Sequence, residues 1–179
     1  MENGNYFVFY LAGLIALLGV SAFFVLRQVF KTRRIESTLS RLQKKLSNQK
    51  GTAKEYYELG SLLLDKKLFT QASLYLQQAV KNIDDNEEEK DNAAIVYNAL
   101  GYAYFAQEQY DLAIKQYKEA LKLAPGYVTA LNNLGHSYEK KQFTKQALES
   151  YQKALAIDAK NSTAKRRAES LKKRVATPS

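Results

Sequence analysis

The chain has 179 residues, 46% hydrophobic and 25% charged, the composition of a folded protein and not of a disordered one. It has no cysteine, which excludes disulfides, thiolate metal sites and cysteine nucleophiles, and its single histidine, His136, leaves little for metal or acid–base chemistry. The formal net charge of +9 is uneven: residues 27–50 carry +7, residues 160–179 carry +6, and the body between them, 51–159, carries −3.

After a short tail (1–5), Tyr6 to Leu26 reads YFVFYLAGLIALLGVSAFFVL, twenty-one residues without a charge. As a helix rising about 1.5 Å per residue it reaches across a hydrocarbon core of about 30 Å. A cleaved signal peptide is the competing reading, but it expects a basic start, a shorter apolar core and a small-residue cleavage site. Here the start is MENGN and the run ends on Arg27, Lys31, Arg33 and Arg34, so residues 6–26 read as a retained transmembrane helix. The four basic residues should hold their flank on the side of synthesis, where anionic lipid is at hand, with residues 1–5 across the membrane.

Residues 27–50 read as a basic amphipathic stalk. In IESTLSRLQKKL, Ile35, Leu39, Leu42 and Leu46 recur at intervals of four, three and four, which is one apolar stripe on a helix. Two readings stay open: a helix along anionic headgroups or against a partner, and a helix whose stripe packs on the next domain. NQKGT (48–52) is the linker, and the domain beyond it starts near Ala53.

From there the sequence repeats. Gly60, Gly101 and Gly135 are each followed twelve residues later by an alanine (Ala72, Ala113, Ala147) and seven after that by another (Ala79, Ala120, Ala154). Large apolar residues hold matching places around them: Tyr56, Leu59, Leu63 and Leu76; Tyr97, Leu100, Tyr104 and Tyr117; Leu131, Leu134, Tyr138 and Tyr151. A glycine costs about 1 kcal/mol in a helix interior, so its recurrence needs a packing reason. Each unit encodes two helices around a short turn, with small residues on one admitting bulky residues of the other.

These units resemble tetratricopeptide repeats, with an aromatic, Leu-Gly, a tyrosine, alanines in the second helix and a proline near the end. With the N-terminal transmembrane helix read above, the resemblance implies an all-α fold: a superhelix of three helix-turn-helix repeats at 53–86, 94–127 and 128–161, closed by a capping helix. The second repeat matches best, down to Pro125. The first has Asp84 in place of that proline, and the third has Leu131 at the first aromatic place and Ala159 at the proline. Phe143 falls one position early relative to Phe69 and Tyr110, so the turn of the third repeat is expected to differ.

Between the first two repeats lies an acidic insertion, 87–93, in the run NIDDNEEEKDN. An EF-hand needs a glycine after its first alternating ligands, and Lys90 stands there, so the run reads as a solvated loop or a helix start, not a metal site. Residues 162–179 read as a basic capping helix and tail, with Ala164, Ala168, Leu171 and Val175 at helical spacing. No glycine-rich phosphate loop, zinc motif, nucleophile elbow or nucleic-acid module is present, so neither an enzyme, a cofactor nor a nucleic-acid partner is expected.

What such an array offers is a groove for protein partners. The resemblance places groove residues at the second, fifth, ninth, twelfth and thirteenth positions of each repeat. These include Tyr57, Ser61, Leu64 and Asp65; Ile95, Asn98, Tyr102 and Phe105; and Thr129, Asn132, His136 and Glu139. Tyr102 and Phe105, with Tyr57 and Leu64 beside them, give an apolar and aromatic patch, and such residues anchor bound peptides. Packing against the stalk or the neighbouring repeat accounts for them equally well. The places that hold a heat-shock protein's terminal carboxylate in chaperone-docking repeats carry Tyr57, Ser61, Ala99, Thr129 and Asn133, which disfavours that partner.

One N-terminal span, a basic stalk and three repeats within about 180 residues are similar to the small photosystem I assembly proteins of cyanobacteria and algal plastids, the hypothetical chloroplast reading frame thirty-seven family. That resemblance implies a thylakoid scaffold facing stroma or cytoplasm, with photosystem I subunits or intermediates as partners. A bacterial envelope scaffold, an organelle import receptor and a permanent subunit of a membrane complex share the same architecture.

Overall fold

The structure, a computed structural model, describes residues 3–85 and 92–176. Most of the acidic insertion at 87–93, and with it the calcium question, lies outside the described residues. Eight helices fill the described residues: α1 (Asn3–Asn48), α2 (Ala53–Asp65), α3 (Phe69–Asp85), α4 (Ala93–Ala106), α5 (Tyr110–Leu123), α6 (Val128–Lys140), α7 (Thr144–Ile157) and α8 (Ser162–Ala176). They divide into two compact units, Met1–Lys45 and Leu46–Ser179.

In the first unit, α1 runs unbroken from the apolar run into the basic stalk, with no proline to stop it. At 46 residues it is about 69 Å long. Large apolar side chains from Phe9 to Phe30 are exposed on every side of it. Such a helix has no polar face to turn to water, which suits lipid or another protein around it.

The second unit is a linear stack. Thr52 starts it with a reciprocal capping box, its side chain accepting from Glu55 N while the Glu55 carboxylate accepts from Thr52 N. The helices then pack in chain order as pairs α2–α3, α4–α5 and α6–α7, with α8 on α7. The first helices of successive pairs also meet, α2 with α4 and α4 with α6. The core divides accordingly into successive clusters: Ala53, Ala79, Ile83, Ala93 and Val96; then Ala113, Ile114, Tyr117 and Leu134; then Leu131, Ala147, Tyr151 and Ala154 with Ala164, Ala168 and Leu171 of α8. Each repeat thus finishes the core of the one before it, and α8 finishes the last.

The glycines are where the pairs touch. A Cβ at Gly60 would lie 2.6 Å from Leu76, at Gly101 2.7 Å from the Tyr117 ring and at Gly135 2.9 Å from the Tyr151 ring. These three partners are fully buried and cannot swing aside. The six signature alanines, Ala72, Ala79, Ala113, Ala120, Ala147 and Ala154, are buried without exception.

The expected difference in the third turn does not exist. All three first helices end in a left-handed residue, Lys67, Glu108 and Gln142, with φ of 60°, 61° and 60°. The two closing bonds also recur: Leu68 N to Leu63 O and Lys67 N to Leu64 O, Gln109 N to Tyr104 O and Glu108 N to Phe105 O, Phe143 N to Tyr138 O and Gln142 N to Glu139 O. This is the Schellman closure of a helix C-terminus. Phe143 matches Leu68 and Gln109, not Phe69 and Tyr110, and supplies the apolar contact typical of the motif by packing on Tyr138, ring centroids 6.2 Å apart.

The turn after the second helix is likewise kept without its proline. Tyr127 N bonds Ala124 O at 3.0 Å across Pro125, and Asn161 N bonds Asp158 O at 3.1 Å across Ala159. Asn161 then caps α8, its Oδ1 accepting from Ala164 N at 2.9 Å.

Candidate protein-binding groove

The first helices α2, α4 and α6 adjoin, and the groove residues expected from the sequence fall along the side chains they carry. α4 holds no charged residue at all. Tyr102 and Ile95 stand out from it, 44% and 41% exposed, while Asn98 and Phe105 are half-buried. Tyr102 meets the edge of Phe69 with ring centroids 6.3 Å apart.

Phe105 joins two repeats. Its ring lies 5.5 Å from that of Tyr110 and 4.7 Å from that of His136, centroid to centroid. Burial, and then the Arg167 and Lys140 charges against the opposing pull of Glu139, holds His136 below its ordinary value, so the ring is a neutral, stacked surface at pH 7. Tyr57 packs into the core between the first two repeats and Phe105 into the next. Of the aromatic patch, Tyr57 and Phe105 are thus partly packing residues, and Tyr102 is exposed.

A line of amides crosses the same face. Asn133 Nδ2 donates to Asn98 Oδ1 at 3.0 Å, and Asn98 Nδ2 reaches the Tyr127 hydroxyl at 3.4 Å. Burial, with the neighbouring Tyr57 phenol second, pushes the Tyr127 hydroxyl up, so it remains a neutral donor and acceptor. Asn132 Nδ2 donates to Asn161 Oδ1 at 3.3 Å, while Asn132 Oδ1 is buried with no hydrogen-bond partner among the described residues. A buried acceptor costs stability unless a donor meets it, and an extended chain supplies backbone N–H groups.

At the far end, Glu139 accepts from the Tyr151 hydroxyl at 2.6 Å and faces Arg167 of α8 at 3.4 Å. Burial and that hydrogen bond push the Tyr151 phenol up. Ser61 and Leu64 are half-buried on α2, whereas Asp65 and Thr129 are exposed at the C-terminal end of α2 and the start of α6. The structure thus brings Phe105 and His136 into contact, with Tyr102 three residues earlier on α4 against Phe69, and Asn98 in the amide line; Asp65 and Thr129 are exposed at helix ends.

The groove positions expected from the sequence leave out three residues of this face. Tyr127 comes from a turn, Asn133 from the position beside a groove position, and Arg167 from the helix read only as a cap. An asparagine recurring two residues before the leucine of the LG pair, at Asn98 and Asn132, with Asn133 next to the second, was the available signal.

Stacked helix pairs with small residues at every crossing, one side carrying an exposed tyrosine beside half-buried aromatics and amides, define a tetratricopeptide-repeat protein of the kind that mediates protein–protein interactions. Models of the tetratricopeptide repeat match residues 48–86 and 128–161, and a TPR repeat model matches 101–142. The chain belongs to the ycf37 family: it is 36% identical to the ycf37 protein of Cyanophora paradoxa over 162 residues, 90% of each chain. It is also 40% identical over 166 residues, 93% of its length, to the tetratricopeptide repeat domain-containing protein PYG7, chloroplastic, of Arabidopsis thaliana, of which it spans 54%. Among solved structures it resembles MamA, with a TM-score of 0.73 over 82% of this chain and 81% of that one, at 21% identity, a likeness of fold.

Proposed function

We propose that the protein is a membrane-anchored scaffold that assembles or stabilises photosystem I on the stromal or cytoplasmic face of the thylakoid, holding a segment of a subunit or intermediate in its groove. The observation that carries this reading is the near full-length match to the ycf37 family, joined to a helix of spanning length. Relatives in plastids and a chloroplast protein of a plant make a photosynthetic membrane the natural site. Tyr6–Leu26 forms the span, Arg27, Lys31, Arg33 and Arg34 set its orientation at an anionic surface, and the groove residues on α2, α4 and α6 capture the partner. No cofactor enters this role.

Fractionation of native cells tests the location. The reading expects the chain in the thylakoid fraction, resistant to carbonate extraction, with its repeat domain digested by protease added to the stromal side. Recovery in an envelope fraction, or protection of the repeats, overturns it. Loss of the gene should lower photosystem I content while photosystem II persists.

A further inference from the structure

The repeat period does not stop at α7. Ser162 follows Val128 by thirty-four residues, so α8 occupies the place of a fourth repeat's first helix. Its small and apolar residues Ala164, Ala168 and Leu171 are buried. Two bonds tie it to the groove side of α6, Arg167 to Glu139 at 3.4 Å and Asn132 to Asn161 at 3.3 Å. The residue in register with Tyr57, Asn98 and Asn132 is Arg166, and those in register with Glu139 and Lys140 are Lys173 and Arg174; all three are exposed.

Charge therefore changes along the groove. α2 holds one lysine against three acids, α4 holds no charge, and α8 holds six basic residues against one acid. We propose that the groove binds an extended protein segment that combines an apolar or aromatic side chain, seated over Tyr102 and Phe105, with carboxylates that pair with Arg166 and Lys173 of α8. Charge complementarity selects the acidic end of the segment, and Arg forks and lysine ammonium groups fit carboxylates. A lipid or nucleic-acid phosphate would use the basic end alone and would leave the uncharged aromatic face of α4 without a role. The proposal rests on the groove reading given above.

The test uses the full chain in mild detergent and two fluorescein-labelled peptides of about twelve residues. Both carry a Phe-Leu anchor, followed in one by four Asp and Glu residues and in the other by the matching amides. Anisotropy titrations should show the acidic peptide binding at least tenfold tighter. Arg166→Glu with Lys173→Glu should abolish that preference and leave the amide peptide unchanged. Equal affinities, or a preference that survives the double charge reversal, overturn the proposal. If the amide peptide is lost with Tyr102→Ala and Phe105→Ala but no acidic preference exists, the groove stands and the role of α8 falls. If acidic binding ignores the groove variant, α8 is an isolated basic patch and the proposal falls. Charge reversal that removes binding to phosphatidylglycerol vesicles while sparing peptide discrimination assigns those charges to lipid and overturns it too.

Discussion

Gly101 illustrates how one residue decides a helix crossing. A Cβ there would sit 2.7 Å from a Tyr117 ring that has nowhere to go. Gly101→Leu should therefore cost roughly 1–3 kcal/mol in strain, of which better helix propensity returns about 1. Thermal denaturation measures it, and Tyr117→Ala in the same chain should make the second change cheaper than in the wild type. His136 gives the pH dependence. Its folded value is depressed below 6.5, so the unfolded chain binds the proton more readily. That contribution to stability is present above pH 6.5 and is lost as pH falls below it. Melting curves between pH 8 and 5 should fall more steeply for the wild type than for His136→Gln. The glycine–alanine register was legible in the sequence because a close backbone approach tolerates no other residue type. The amide line was not, since Asn133 takes its role from Asn98 in the repeat before it, and Tyr127 reaches Asn98 from a turn outside the helix register.

At the scale of the helix, the ends carry the information that composition hides. Three different residues, Lys67, Glu108 and Gln142, take the same left-handed conformation because the closing hydrogen bonds are between backbone groups. No side-chain pattern announces that, which is why Phe143 was misassigned to the start of α7. Its true role is to close the turn against Tyr138. A non-glycine residue in this conformation is strained, so Glu108→Gly should raise stability by up to about 1 kcal/mol, read as a higher midpoint in urea. An unchanged or lower midpoint would remove the strain argument. The N-terminal helix was read as two segments because its composition changes at Arg27, yet nothing in that change breaks a backbone hydrogen bond, and α1 continues. The capping helix was legible as an amphipathic element, but its groove-side basic residues were not, since only the repeat register places them in line with α6.

At the scale of the whole molecule, the proposed function joins a helix long and apolar enough to span a membrane to a stack of repeats whose uncharged aromatic face sits in its middle. Its central claim is that this face captures photosystem I components. The most direct measurement is to purify the tagged full chain from its native membranes in mild detergent and identify what accompanies it, beside the Tyr102→Ala and Phe105→Ala variant. Both changes lie on the surface or half-buried, so the variant should keep its helical circular dichroism while losing the hot-spot contacts. The account predicts substoichiometric photosystem I subunits or intermediates with the wild type and their loss from the folded variant. Undiminished capture by that variant, or translocation, envelope or ribosomal components in place of photosystem I, would contradict it.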